Sequence, residues 1–417
     1  MENMNVHQQV FALSLMSNLA QGNTGTQADL QTALEQGLPR ALRYLPGKWH
    51  IVWGPVVWKE APDQATTGPD HVWFVARNSE LAFTDGHTQD TYVLAIAATA
   101  TKYNWIDNNA AVAAVVDFNQ WVSKWVSSGE VTAPETVDPT VSDAAYISYG
   151  TARGVYKLAS VAPPFSAVGG GVPLRSFWAS FPASSQAKVI VTGHSLGGAL
   201  SPTLALSLLE SQAFTSFPPE NILTYPTAGP SPGNLTFAKQ FSERFPKVPG
   251  PRYEVWNCNI VNLRDIVSQA WCTSEKASPK QNLKNIPAIY GLPEIPEVNF
   301  GVQIAKQLAE ASQILYFPLQ AQQFKGMPPP TAPADMREFL NFTRHQHLQE
   351  FLNLFDIAVP QALTGEEWGV QRMTPEEVVK TRPVMNVVIA PNLLDNPSDE
   401  PQEKEDYSAI TALCETF

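Results

Sequence analysis

Apolar positions along the chain change rhythm several times, and each change predicts an element. Residues 1–45 read as mostly helical, with Val10 to Met16 as an amphipathic stretch and Pro46-Gly47 as its stop. Short β-like runs follow at His50-Ile51-Val52-Trp53, Val56-Val57-Trp58 and His71 to Val75. Tyr92 to Ala97 is apolar without a break, the pattern of a strand buried on both faces. Residues 110–127 are Ala/Val-rich with Trp121 and Trp125 four apart, which predicts a helix, and another is expected over 151–160. Lys188 to Thr192 reads as a strand leading into a helix that carries Pro202 early, where proline is best tolerated. Ile222 to Tyr225 and Tyr253 to Trp256 are expected to be further strands with a helix between them. Strands alternating with helices predict an α/β fold, a mainly parallel central sheet flanked by helices.

Proline refines this plan. It clusters around 284–333, which reads as an insertion, and around 382–401, where Asn396 to Glu403 suggests a solvated tail. The expected organisation is a helical and β extension over 1–70, a catalytic domain over 71–360 and a C-terminal extension over 361–417. The 417 residues suffice for a large core.

The net charge of −12 argues against nucleic acid or an anionic membrane as partner, but not against a neutral oil surface. Cys258, Cys272 and Cys414 are too few for a disulfide scaffold; they read as ordinary thiols, with a Cys258–Cys272 pair as the other reading. The N-terminus lacks the basic region of a classical signal peptide, so a cytoplasmic location or another secretion route is expected. No run is long enough for a transmembrane segment.

The chemistry centres on Gly193-His194-Ser195-Leu196-Gly197, which fits G-x-S-x-G. A serine on a sharp strand-to-helix turn presents its hydroxyl outward, and small flanking residues avoid collisions there. The helix that follows offers backbone N–H groups to a developing oxyanion. A strand-like run leads in and a helix-like run leads out, the context the motif requires. Such a serine needs a base and an acid downstream, in the order Ser, acid, His. Only His345 and His347 follow Ser195, and both remain candidates on this ground. Asp265 and Asp335 lie between. Asp335 reads as a helix cap, whereas Asp265 sits in a loop past a strand end, where catalytic groups of open α/β sheets gather.

These segments together resemble the fungal-type (class 3) lipase family of α/β-hydrolases, over roughly residues 70–355. Gly193 to Ala199 is similar to that family's nucleophile motif, Thr224 to Asn234 to its next strand and loop, and Asn262 to Val267 to its acid motif. Gln346-His347-Leu348-Gln349-Glu350-Phe351 resembles its terminal histidine with an aromatic residue four positions on, which favours His347 over His345. The resemblance implies an oxyanion donor at Thr99, preceded here by Ala97-Ala98 where the family has Arg-Gly, and a second at the Leu196 N–H. It also implies a mobile lid over about 100–125. A permanently packed helix is the other reading of that stretch.

The expectation is therefore a serine carboxylic-ester hydrolase with a lid and a helical insertion, most simply a lipase acting on acylglycerols at a transient lipid interface. No cofactor or metal is called for. Phospholipase A1 and short-chain or feruloyl-type esterase are rival activities on the same triad. An inactive binding protein on a hydrolase scaffold is the rival from outside the enzymes.

Overall fold

Central strands buried on both faces organise the molecule, a computed structural model that describes residues 4–21, 23–98 and 111–357. A seven-stranded sheet is built from β1 (His50–Trp58), β2 (His71–Ala82), β3 (Thr88–Ile96), β6 (Lys188–His194), β7 (Ile222–Thr227), β9 (Asn259–Asn262) and β11 (Ala321–Phe324), in the spatial order β1-β2-β3-β6-β7-β9-β11. β3, β6, β7, β9 and β11 run parallel, and β2 pairs antiparallel with both β1 and β3. A small antiparallel sheet, β10-β8-β5-β4, is formed by β4 (Val115–Asp117), β5 (Tyr146–Ser148), β8 (Gly233–Asn234) and β10 (Tyr316–Phe317).

Successive residues of a strand point to opposite faces. On β3, Leu94 and Ile96 join one core with α3 (Phe118–Ser128), α4 (Tyr149–Ser160), α5 (Leu174–Ala179), α6 (Leu196–Glu210) and α7 (Leu235–Arg244). Val93 and Ala95 join the other core, with α1 (Val6–Met16) and α2 (Gln27–Leu42). The N-terminal segment thus supplies both an edge strand and the helices covering one face of the sheet. Phe11 on α1 is fully buried, worth about 2–3 kcal/mol by transfer from water. A third core gathers residues of α8 (Pro296–Ala311) and α9 (Met336–Arg344) with Ile266, Trp271 and Tyr290. The chain then passes a π-helical turn, His345–Gln349, into α10 (Glu350–Phe355).

Three expectations change. Tyr253 to Trp256 forms no strand. The ring of Trp256 stacks on His7, and the Tyr253 carbonyl accepts from the Tyr225 hydroxyl, so this aromatic run packs from a turn. The strand is β9, a few residues on, where Asn259 and Asn262 flank Ile260-Val261. Within the Pro-rich stretch 284–333, β11 is a strand of the central sheet, so this stretch is partly framework. Of residues 100–125, Phe118, Trp121, Val122 and Trp125 are packed core; Thr99 and residues 100–110 lie outside the described residues, as do 358–417 with Cys414. Cys258 and Cys272 are buried free thiols. Among the described residues, no helix is long and apolar enough to cross a membrane.

Candidate active site

The parallel strands β6 and β9 both end at the same edge, and the site is built there. β6 runs through Gly193-His194 into Ser195, whose backbone sits at φ 59° and ψ −122° before α6 begins at Leu196. A non-glycine residue in this region is strained, and such strain is held only by a well-determined surround. Here the surround is backbone. A Cβ on Gly193 would run into the Gly197 carbonyl, and one on Gly198 into the carbonyl of Thr227 and the chain at Gly229. The Ser195 N–H donates to the Thr227 carbonyl across to β7 (3.0 Å). At the start of α6 the Leu196 N–H comes too early in the helix for an intrahelical acceptor and lies next to the serine in sequence.

β9 delivers a buried carboxylate. Three residues past its end, Asp265 is fully buried. Its Oδ1 accepts the Val267 N–H (3.0 Å) and its Oδ2 the Ser268 hydroxyl (3.1 Å). His347 donates from Nδ1 to Oδ2 at 2.8 Å. That bond fixes the histidine tautomer and leaves Nε2 as a proton acceptor.

Of the two sequence candidates, His347 therefore meets the acid, with its side chain 16% exposed. His345 is half-exposed and lies 2.9 Å from Glu350. The π-helical turn carries an extra residue and interrupts the regular ladder of carbonyls. The Gln346 carbonyl accepts from Asn262 Nδ2 (2.9 Å), and the His347 carbonyl accepts from His194 Nε2 (2.9 Å). Asn262 Oδ1 in turn accepts the Gly326 N–H (2.9 Å). Gln346 Nε2 and Glu350 Oε2 both bind the backbone of Met327. Asp335 caps α9, accepting the Glu338 N–H, and lies in a different network.

His194 precedes Ser195 on the turn and faces the segment that carries His347. Its Nε2–H must donate to a carbonyl, so Nδ1 accepts from the Thr227 hydroxyl at 2.9 Å. Burial, reinforced by the nearby His347, holds His194 well below the usual imidazole range, so it is neutral. The two rings are 4.7 Å apart. The only sequence signal for this role was a polar residue inside the nucleophile motif. Among the described residues, no group of three His, Cys, Asp or Glu side chains is arranged to hold a metal ion.

Comparison with known proteins adds to this geometry. Residues 93–274 match the family model "Lipase (class 3)". No curated protein matches the chain. Among solved structures, M37 lipase superposes with a TM-score of 0.63 at 22% identity, covering 87% of this chain and 98% of its own. The LIP2 lipase of Yarrowia lipolytica covers 62% of this chain and 73% of its own, at 16% identity and a TM-score of 0.37. At these identities the M37 likeness speaks for the α/β-hydrolase fold.

Proposed function

We propose, on the match of residues 93–274 to the class 3 lipase family model, that the chain is a lipase-type carboxylic ester hydrolase and that it hydrolyses acylglycerols through Ser195, His347 and Asp265. The observation that carries the assignment is the 2.8 Å bond from His347 Nδ1 to buried Asp265, on a segment whose backbone is hydrogen-bonded to His194, the neighbour of Ser195.

His347 Nε2 takes the Ser195 proton as Oγ attacks the ester carbonyl carbon. The oxyanion of the tetrahedral intermediate is met by the Leu196 N–H and by Thr99, the donor that the family resemblance implies. Asp265 stabilises the imidazolium. The intermediate collapses as His347 returns the proton to the leaving alcohol, giving the acyl-enzyme. Water, deprotonated by His347, then adds to the acyl carbon, and the carboxylic acid leaves as Ser195 regains its proton.

Lipid esters are favoured over small soluble ones by the surface beside the base. Leu348 follows His347 and is 43% exposed, and Met327, tied to Gln346 and Glu350, is 71% exposed. Initial rates on tributyrin and triolein emulsions, p-nitrophenyl butyrate and phosphatidylcholine vesicles test the reading. Triacylglycerol emulsions are expected to be hydrolysed fastest, and Ser195→Ala to lose several orders of magnitude on all four. Full activity in Ser195→Ala overturns the mechanism. Preference for the vesicles or for the soluble ester overturns the substrate class.

A further inference from the structure

The mechanism leaves unexplained why a helix outside the matched segment reaches the catalytic edge of the sheet. β3 exhausts its ladders as it arrives there. Ile96 is its last residue in register with β6, and the Ala97 N–H donates to Val72. The next donor, Ala98 N–H, has neither strand to bind. It donates to Asn18 Oδ1 at 2.7 Å. Asn18 lies in the turn after α1, and its amide is oriented by a second bond, Nδ2 to the Ser14 carbonyl at 2.9 Å.

This bond is made beside the nucleophile. A Cβ on Gly197 would strike the carbonyls of Ile96 and Ala97, so the exit of β3 and the first turn of α6 are in backbone contact. α1 also braces the base. Phe11 stacks on Phe355 (4.1 Å) and meets the His194 ring edge-on (6.0 Å), and Gln8 Nε2 donates to the Phe355 carbonyl (2.7 Å).

The geometry points to Asn18 as a positioning residue of the nucleophile turn: by holding the Ala98 N–H it sets where the end of β3 lies against the first turn of α6, which carries the Leu196 N–H. The inference rests on the triad reading above. A misplacement of about 1 Å at such a site costs up to roughly a hundredfold in rate.

The test compares Asn18→Leu, which removes the acceptor, with Asn18→Asp, which keeps one, in the full chain with p-nitrophenyl butyrate. Asn18→Leu is expected to lower kcat about 10- to 100-fold with KM within about twofold, and to raise the inhibition constant of phenylboronic acid, whose serine adduct carries a tetrahedral anion, by the same factor. The acid limb of the kcat pH profile, which reports His347, stays in place. Asn18→Asp retains kcat within about threefold. If Asn18→Leu does not accumulate as folded protein, Asn18→Ala removes the same acceptor without bulk and is read in the same way. Wild-type kcat in the acceptor-less variant, or equal losses in Leu and Asp, overturns the inference. Ser195→Ala run alongside separates the two levels: if it is inactive while the Asn18 series is silent, only the positioning role fails.

Discussion

The turn carrying the proposed nucleophile and the segment carrying the proposed base meet at one edge of the sheet but are held in opposite ways. The turn is set locally. Strand β6 aims it, Ser195 takes a strained conformation, and Gly193 and Gly198 let backbone approach backbone. The base segment has almost no local determinant. Residues 345–349 form a π-helical turn whose carbonyls are claimed by Asn262 and His194, while the Met327 loop and Phe11 of α1 hold it from the sides. A turn determined by its own residues tolerates little change within them. A segment determined by its neighbours is tuned from afar.

The sharpest way to break the comparison is at the base. His347→Ala is expected to lower kcat by about 10⁴-fold or more, while His345→Ala stays within about twofold, in steady-state assays of both purified proteins. Equal losses would mean that the segment as a whole, and not one imidazole, is being read. Gly198→Ala comes next. The added methyl has only the backbone at Thr227 and Gly229 to displace, so denaturant unfolding should show a loss of about 3 kcal/mol. Wild-type stability there would mean the turn is not locally locked.

His7 lies on α1, 1% exposed, stacked 4.2 Å from Trp256, and neither ring nitrogen has a hydrogen-bond partner among the described residues. Burial pushes its pKa down to about 3 from an ordinary 6.5. The unfolded chain therefore takes up the proton first as pH falls through 6.5, and this site costs stability progressively from there towards pH 3. Between pH 7 and pH 5 the loss is about 2 kcal/mol. Unfolding free energies of wild type and His7→Leu across that interval should diverge from this term; parallel curves would show that the helix under the base segment is not acid-sensitive through His7.

The smallest effect is expected at His194. Replacement by Phe keeps a ring but removes the donor to the His347 carbonyl, and should lower kcat about tenfold, or about 1.4 kcal/mol, with KM held. His194→Gln, which can still donate, should recover part of it. An unchanged kcat in His194→Phe would leave Asn262 and the flanking packing to hold the segment.

The same contrast explains what could be read in the chain. The strand–turn–helix around Ser195 was legible because its determinants are contiguous. The position of Asp265 in a loop past a strand end was legible, although that strand was read too early: Tyr253 and Trp256 have β-type side chains but bury them against Tyr225 and His7 from a turn. The histidine partner of Asp265 was half legible. Two residues apart on a helix point about 200° apart, so one of His345 and His347 had to face inward. Which one is decided by Asn262 and His194, residues 84 and 153 positions away. Strand β11 was hidden because Ala321-Gln322-Gln323-Phe324 sits at the sheet edge, where half-buried polar side chains give no apolar run.

That edge strand has a consequence for synthesis. β11 pairs with β9 in parallel and lies just ahead of the segment carrying His347, which follows Asp265 by 82 residues. A chain emerging from the ribosome can form the serine turn and the acid loop well before the base exists as peptide. His347 can meet Asp265 only once β11 and the segment after it have been made. On the proposed triad, ester-cleaving power would therefore be switched on only after β11 is made, and a chain cut short before it would carry a serine turn with no base to use it.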